Sequence, residues 1–155
     1  MTTKIQTVML TGRTHTTASR AEGVSGAQER LDIQLSTPGD AGRDIVLSAV
    51  EMHPTAEQLF AGAWSACYTA ALRFAAQRKK VTLPPDMSVD IEVDLGKTDG
   101  AYFIQARIDV GMPGVAPDVA NTIASAAHAI CPYSKAVHGN IDVVTHVVAA
   151  DAVAA

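Results

Sequence analysis

The sequence predicts an α+β fold, because three observations together are typical of that class. Apolar and polar residues alternate in several short segments, and a long stretch of nearly continuous apolar and small residues lies between them. No repeat, low-complexity block or linker divides the chain of 155 residues. A chain of this length forms one domain and buries a core without disulfide or metal staples.

The chain begins with two predicted strands. Residues 5–16 and 31–36 are assigned as strands because their apolar side chains alternate with polar ones. Gly23 and Gly26 supply turn positions between them. Residues 37–53 open as a loop and then become apolar, so their second half is left without an assignment.

A long helix is predicted from Thr55 to about Lys79. Thr55 and Gln58 have the spacing of a capping box, and Glu57 falls in the first turn, where the helix dipole favours a negative charge. A basic cluster at 78–80 suits the carboxyl end. Its content is nearly all apolar or small, which predicts a central buried helix.

The second half of the chain predicts a hairpin, a helical region and a last strand. A turn near 97–100 separates two alternating segments, which is typical of a β-hairpin. The predicted elements are strands over 87–95 and 102–110, a helix over 117–130, a short helical piece over 134–137 and a strand over 141–148.

Charge and composition exclude several classes of partner. A net charge of -4 and a pI of about 5.6 argue against nucleic acid or an anionic membrane surface. Aromatic residues make up only 5%, too few for a base-stacking surface. No stretch has the length of a membrane span or the form of a signal peptide. We therefore expect a cytoplasmic protein in which thiols are kept reduced.

The chain has two cysteines, Cys67 and Cys131. Their separation rules out a local CxxC redox or zinc motif. Cys67 shares an apolar helical face with Phe60 and Phe74, and a cysteine in that setting is more often a small buried hydrophobe than a reactive thiol. Cys131 precedes Pro132, which disfavours helical geometry at position 131 and places that cysteine at a helix boundary. Spacing alone leaves the chemistry of both cysteines open.

A reactive Cys67 needs a neighbouring cation. The thiolate is the nucleophile, and burial in apolar surroundings raises the pKa of a thiol. The nearest basic residue on the helix, Arg73, lies on a different face. The activating charge is therefore expected from elsewhere in the chain.

His128 precedes Cys131 by three residues, a spacing that suggests a metal pair or a Cys–His dyad. Two ligands do not make a zinc site. We therefore expect no metal, and a histidine satisfied in the core or at an interface.

Several motifs resemble those of a known family. They are EQLFAGAWSAC at Glu57–Cys67, AICPYSKAVHGNIDV ending at Val143, and LDIQLSTP at Leu31–Pro38. The chain resembles the organic hydroperoxide resistance branch of the OsmC/Ohr family over its whole length, 1–155. The resemblance implies an α+β fold with antiparallel sheets and a central buried helix, assembled as an intertwined homodimer.

The resemblance also implies an activity and a site. Proteins of this branch reduce organic (alkyl, aryl and lipid) hydroperoxides to alcohols. Cys67 matches the peroxidatic cysteine and Cys131 the resolving cysteine. Glu57 matches the glutamate that pairs with an arginine from the N-terminal region to activate the thiolate. No cofactor is bound, and a dihydrolipoyl group on a lipoylated protein is the external reductant.

Arg20 is the expected arginine. It has the family spacing to Leu31, although Ala18 and Ser19 precede it where the family has two glycines. Arg13 is the competitor, preceded by a glycine but at the wrong spacing. A second departure from the family pattern lies before the long helix, where Thr55 and Ala56 are two extra residues between Pro54 and Glu57. They leave open the shape of the pocket rim and with it the substrate preference.

Helix geometry constrains this site. Glu57 and Cys67 are ten residues apart, roughly 15 Å along a straight helix. One arginine cannot reach both unless the helix starts later or bends, or unless the two residues belong to different subunits. We therefore hypothesise a site assembled at the dimer interface.

Two other functions remain open. One is a non-enzymatic stress protein that binds hydroperoxides or lipids and keeps both cysteines inert. The other is a peroxidase of the sister OsmC branch, with the same chemistry and a broader choice of peroxides. The CPYS and GNIDV motifs favour the organic hydroperoxide resistance branch.

Overall fold

The structure, a computed structural model, describes residues 4–17 and 54–149. The predicted strand over 31–36 and the segment 37–53 lie outside these residues. In chain order the described elements are β1 (Thr7–Thr17), α1 (Ala56–Arg78), β2 (Ser88–Thr98), β3 (Ala101–Met112), α2 (Pro117–Ile130), α3 (Pro132–Val137) and β4 (Val143–Ala149). This alternation confirms the predicted α+β class.

The four described strands form one sheet in the order β1-β2-β3-β4. β1 pairs with β2 and β2 with β3 in antiparallel fashion, whereas β4 runs parallel to β3. The sheet is therefore mixed in this part of the chain, whereas the family resemblance implied antiparallel sheets. The reason is the connection, since α2 and α3 carry the chain back across the sheet before β4 begins, as a parallel pair requires.

The turn between β2 and β3 confirms the predicted hairpin. Thr98 pairs with Ala101, so the loop has two residues, Asp99 and Gly100. Both have positive φ, 50° and 83°, as in a type I′ turn. This turn favours Asp-Gly because its twist matches that of the flanking strands.

The core lies between one face of the sheet and the helices. Alternate residues of β2 and β3 point inward, and these are at most 2% exposed: Val89, Ile91, Val93, Ala106, Ile108, Val110 and Met112. On α1, Trp64, Tyr68 and Leu72 are fully buried. This arrangement confirms α1 as the central buried helix.

One stripe of α1 is exposed, because a helix meets its neighbours on only part of its circumference. Ala63, Ala66 and Ala70 are exposed, and Phe74 is 46% exposed. The guanidinium of Arg78 lies over the Phe74 ring, 4.7 Å from its centroid. No helix in the described part of the chain combines the length and the apolar character needed to cross a membrane.

The start of α1 follows its sequence signals. Thr55 is the N-cap, and its hydroxyl accepts a hydrogen bond from the Gln58 backbone at 3.2 Å. The Gln58 side chain accepts one from the Thr55 backbone at 3.0 Å, completing the predicted capping box.

Gly12 brings β1 against the first turn of α1. A Cβ at that position would lie 2.5 Å from the Gln58 nitrogen and 2.6 Å from the Glu57 Cβ. These distances are too short for any side chain, so only glycine permits this approach. The contact fixes the end of α1 that carries Glu57.

Candidate redox site

The fold brings the two cysteines together. Cys67 lies in the middle of α1, and Cys131 lies between the end of α2 and the start of α3. Their Sγ atoms are 3.1 Å apart, and both thiols are free. A disulfide bond requires them to approach by about 1 Å more.

Cys131 occupies the predicted helix boundary. Its backbone is extended (φ -63°, ψ 118°), as the following Pro132 requires, and it ends α2 and caps α3. Its backbone N–H donates to the Ala127 carbonyl at 2.8 Å. Its Sγ accepts a hydrogen bond from the Ser134 backbone at 3.5 Å. The cysteine therefore has a defined place on both sides of the break.

The two thiols differ in accessibility. Cys67 is half-buried, whereas Cys131 is 0% exposed. A small molecule approaching from solvent therefore meets the sulfur of Cys67 first.

The described surroundings do not activate Cys67. Burial raises the pKa of its thiol, and the hydrogen bond with Cys131 raises that pKa further. A backbone hydrogen bond from Tyr133 acts in the opposite direction. No lysine or arginine among residues 4–17 and 54–149 helps to lower this pKa. A thiolate at neutral pH needs a cation from outside these residues.

Glu57 lies in the first turn of α1 and is only 9% exposed. It is in the same continuous helix as Cys67, so their Cα atoms are roughly 15 Å apart along the axis. Within the described ranges no side chain donates a hydrogen bond to its carboxylate. Its predicted partner, Arg20, lies outside the described residues.

Arg13, the competing arginine, is engaged elsewhere. It follows Gly12 on β1, so its side chain points to the sheet face away from α1. Its Nε donates to Glu92 at 2.7 Å, and Arg107 donates to the same carboxylate from the neighbouring strand. Arg13 therefore does not contact Cys67 within this chain.

Two of the four aromatic side chains of α1 belong to the core. Trp64 and Tyr68 are fully buried, while Phe74 is exposed. Phe60 is half-buried and packs edge-on against Trp64, with ring centroids 5.9 Å apart. Periodicity groups these residues on α1 but does not tell which side of the helix meets the sheet.

A polar network that the sequence did not reveal lies behind the cysteines. The indole Nε1–H of Trp64 donates to the Ser134 hydroxyl at 3.0 Å. His128 contacts the same hydroxyl through Nδ1 at 3.0 Å and the Thr145 hydroxyl through Nε2 at 2.9 Å. The only sequence signal is that Trp64 and Ser134 each lie three residues from a cysteine.

His128 is a satisfied histidine, as predicted. Both ring nitrogens have partners, and its ring packs on Tyr68 with centroids 4.6 Å apart. Burial lowers the pKa of His128, which favours the neutral imidazole.

A cavity of about 620 Å³ adjoins this network. Its lining includes Trp64, His128, Ser134 and Thr145 but neither cysteine. Among the described residues, this cavity therefore does not open onto the thiol pair.

The fold and the thiol pair define an α+β protein with two facing cysteines, one accessible and one buried. Residues 49–146 match the family described as OsmC-like protein. An organic hydroperoxide resistance protein of Xanthomonas axonopodis pv. citri is 34% identical over 139 residues, which cover 88% of this chain and 92% of that protein.

Solved structures agree. The organic hydroperoxide resistance protein OhrB of Bacillus subtilis superposes with a TM-score of 0.59 at 32% identity, covering 63% of this chain and 73% of that one. An organic hydroperoxide resistance protein from Elizabethkingia anophelis superposes with a TM-score of 0.64 at 27% identity, covering 92% and 98%.

The chain belongs to the OsmC-like family. These comparisons confirm the resemblance to the organic hydroperoxide resistance branch and support a role in resistance to organic hydroperoxides.

Proposed function

We propose that the protein reduces organic hydroperoxides to alcohols, with Cys67 as the attacking thiol and Cys131 as the resolving thiol. The observation that carries this proposal is the 3.1 Å distance between the sulfurs of a half-buried cysteine and a buried one. Attack requires access to solvent, and resolution requires a second thiol within reach. This pair meets both conditions.

In the first step the Cys67 thiolate attacks the distal oxygen of the hydroperoxide. The O–O bond breaks, the sulfur is oxidised to a sulfenic acid, and the alkoxide takes a proton and leaves as the alcohol. The neighbouring side chains favour a bulky apolar substrate. Phe60, Ala63 and Phe74 lie on the same side of α1 as Cys67 and are half-buried or exposed, so they provide apolar surface along this side of the helix.

In the second step the Cys131 thiol attacks the sulfenic acid. The S–S bond forms, the S–O bond breaks, and water leaves. A dithiol of the dihydrolipoyl class then reduces the disulfide by exchange. The burial of Cys131 favours attack by the incoming thiolate on the Cys67 sulfur, with Cys131 as the leaving thiolate.

In this proposal Arg20 activates Cys67 by stabilising its thiolate, and Glu57 holds the Arg20 guanidinium in place. A guanidinium beside the sulfur favours the thiolate, and a carboxylate forked onto the guanidinium fixes its plane. The raised pKa of Cys67 in its described surroundings supports the need for such a cation. Because Glu57 and Cys67 are nearly three turns apart on one helix, the proposal includes a homodimer in which the site uses both chains.

The decisive experiment is a thiol count. The reduced protein is titrated with one equivalent of cumene hydroperoxide, and free thiols and released alcohol are measured. We expect loss of both thiols and one alcohol per chain in the wild type, and no alcohol from Cys67→Ser. If both thiols persist and no alcohol forms, the protein is a binder and the proposal is wrong.

Two further arms of this experiment refine the activity. Dihydrolipoamide is compared with thioredoxin as the reductant, and turnover with dihydrolipoamide alone is expected. Cumene hydroperoxide is compared with hydrogen peroxide, and comparable rates would favour the sister OsmC chemistry instead.

A further inference from the structure

We propose that Trp64, Ser134 and His128 are positioning residues, which hold the Cys67 and Cys131 sulfurs in register for disulfide formation. The inference rests on the proposed function, because it concerns the step in which Cys131 resolves the sulfenic acid. None of the three side chains reaches a reacting atom with its functional group. They act through the backbone segments that carry the two cysteines.

One arrangement of the hydrogens gives every donor of the network an acceptor. The indole of Trp64 is only a donor, so the Ser134 hydroxyl oxygen accepts from it. The hydroxyl hydrogen is then free to donate to Nδ1 of His128, which leaves Nε2–H to donate to Thr145. The neutral imidazole provides one acceptor and one donor, as this arrangement needs. Every member of the network has a partner.

The network joins the two segments at equivalent points. Trp64 lies three residues before Cys67 on α1, less than one turn away. Ser134 lies three residues after Cys131, and its backbone N–H donates to the Cys131 sulfur. The Trp64–Ser134 hydrogen bond therefore links the helical turn that precedes Cys67 to the helical turn that follows Cys131.

Burial makes this tie effective. Trp64 is 0% exposed and Ser134 is 6% exposed, so loss of either partner leaves the other without its hydrogen bond in a buried position. His128 and Thr145 extend the tie to α2 and β4, which prevents α3 from rotating on its own. The sulfurs then need only the last ångström of movement to form the bond.

The resolving step depends on this placement more than the first step does. In resolution two groups of the same chain must meet, and misplacement of one lowers their effective concentration directly. Attack of Cys67 on a hydroperoxide from solvent involves α3 only through the backbone hydrogen bond from Tyr133 to Cys67. Loss of the tie therefore slows disulfide formation and leaves sulfenic acid formation almost unchanged.

A glutathione redox buffer tests the positioning without any peroxide. The equilibrium between the Cys67–Cys131 disulfide and reduced glutathione gives the effective concentration of the two thiols. We expect it to fall about tenfold in Ser134→Ala and in Trp64→Phe, the effect of one buried hydrogen bond. Ser125→Ala, the same change at an exposed position of α2, is the matched control and is expected to match the wild type.

The double variant separates positioning from general destabilisation. If the effect comes from the Trp64–Ser134 hydrogen bond, Trp64→Phe with Ser134→Ala falls no further than either single variant. Full additivity of the two effects, or an unchanged effective concentration in Ser134→Ala, would overturn the inference. Thermal unfolding of each variant confirms that the compared proteins are folded.

Rapid mixing with cumene hydroperoxide extends the test to the reaction. In Ser134→Ala we expect sulfenic acid to form within about twofold of the wild-type rate, and disulfide to form about tenfold more slowly. Equal slowing of both steps contradicts the inference. A wild type that does not react with the hydroperoxide refutes the proposed function instead, while the glutathione equilibrium still decides the positioning.

Discussion

The sulfur atoms of Cys67 and Cys131 lie 3.1 Å apart, although 64 residues separate them in the chain. The contact is asymmetric, because one thiol is half-buried and the other is 0% exposed. The proposed chemistry depends on both features, and each gives a prediction that a substitution can test.

Cys131→Ser is expected to react with hydroperoxide once and then stop. Cys67 still forms the sulfenic acid, but no thiol is left to resolve it, so excess hydroperoxide oxidises it further to sulfinic acid. Intact mass spectrometry after stepwise addition of cumene hydroperoxide would show one and then two added oxygen atoms on Cys67. Persistence of the unmodified thiol in this variant would contradict the assignment of Cys67 as the attacking residue.

Arg20→Ala is expected to raise the pKa of Cys67 above that of the wild type. Burial already raises this pKa, and the guanidinium is the group proposed to lower it. Thiolate is the nucleophile, so at pH 7 the variant should react with cumene hydroperoxide at least about 100-fold more slowly, a shift of about two pKa units.

Arg13→Ala is the matched control for that measurement. Its side chain is paired with Glu92 on the sheet face away from α1. The absorbance of the thiolate, followed against pH, is expected to match the wild type in this variant. A larger rise in the pKa of Cys67 in Arg13→Ala than in Arg20→Ala would show that Arg13, and not Arg20, activates the thiol.

Mixing two inactive variants tests whether the site spans two chains. If Arg20 and Cys67 of one site come from different subunits, a dimer of Cys67→Ser with Arg20→Ala contains one intact site. Random assortment of equal amounts then restores about a quarter of the wild-type sites. The subunits are exchanged by unfolding and refolding together, and peroxidase activity is measured. Absence of recovery from mixtures shown to contain heterodimers would place the whole site within one chain.

An ion-pair cluster on the outer sheet face predicts a pH dependence of stability. Asp94 is 2% exposed and accepts hydrogen bonds from Arg107 at 2.6 Å, Thr11 at 2.6 Å and Gln105 at 2.7 Å. The Arg107 guanidinium, above all, holds the pKa of Asp94 well below its usual range. The stabilisation is therefore present above the unfolded pKa of about 3.9 and is lost as pH falls toward the folded pKa.

Asp94→Asn is expected to lower the free energy of unfolding at pH 7 by about 2 kcal/mol, less than for a fully buried pair because Arg107 is 36% exposed. The variant should also lose less stability than the wild type between about pH 5 and about pH 2. Urea unfolding at several pH values measures both effects, with the exposed Asp86→Asn as control. Parallel pH curves for Asp94→Asn and wild type would refute the role of this carboxylate.

The sequence by itself determined the local structure of the described residues. The capping box at Thr55, the Asp-Gly turn and the break at Cys131 before Pro132 depend on residues that are neighbours in the chain. Their backbone preferences and hydrogen bonds act over a few residues, so a sequence pattern contains all that is needed. The family motifs added the pairing of the two cysteines, which spacing alone had left open.

Only the tertiary structure decided how the two sulfurs face each other and which of them is accessible. That outcome depends on the packing of α2 and α3 against α1, and on contacts such as Trp64–Ser134, 70 residues apart in the chain. The same holds for Trp64 and Tyr68, whose burial in the core depends on which side of α1 meets the sheet. Periodicity defines the faces of a helix, but the element that covers each face is set by the whole fold.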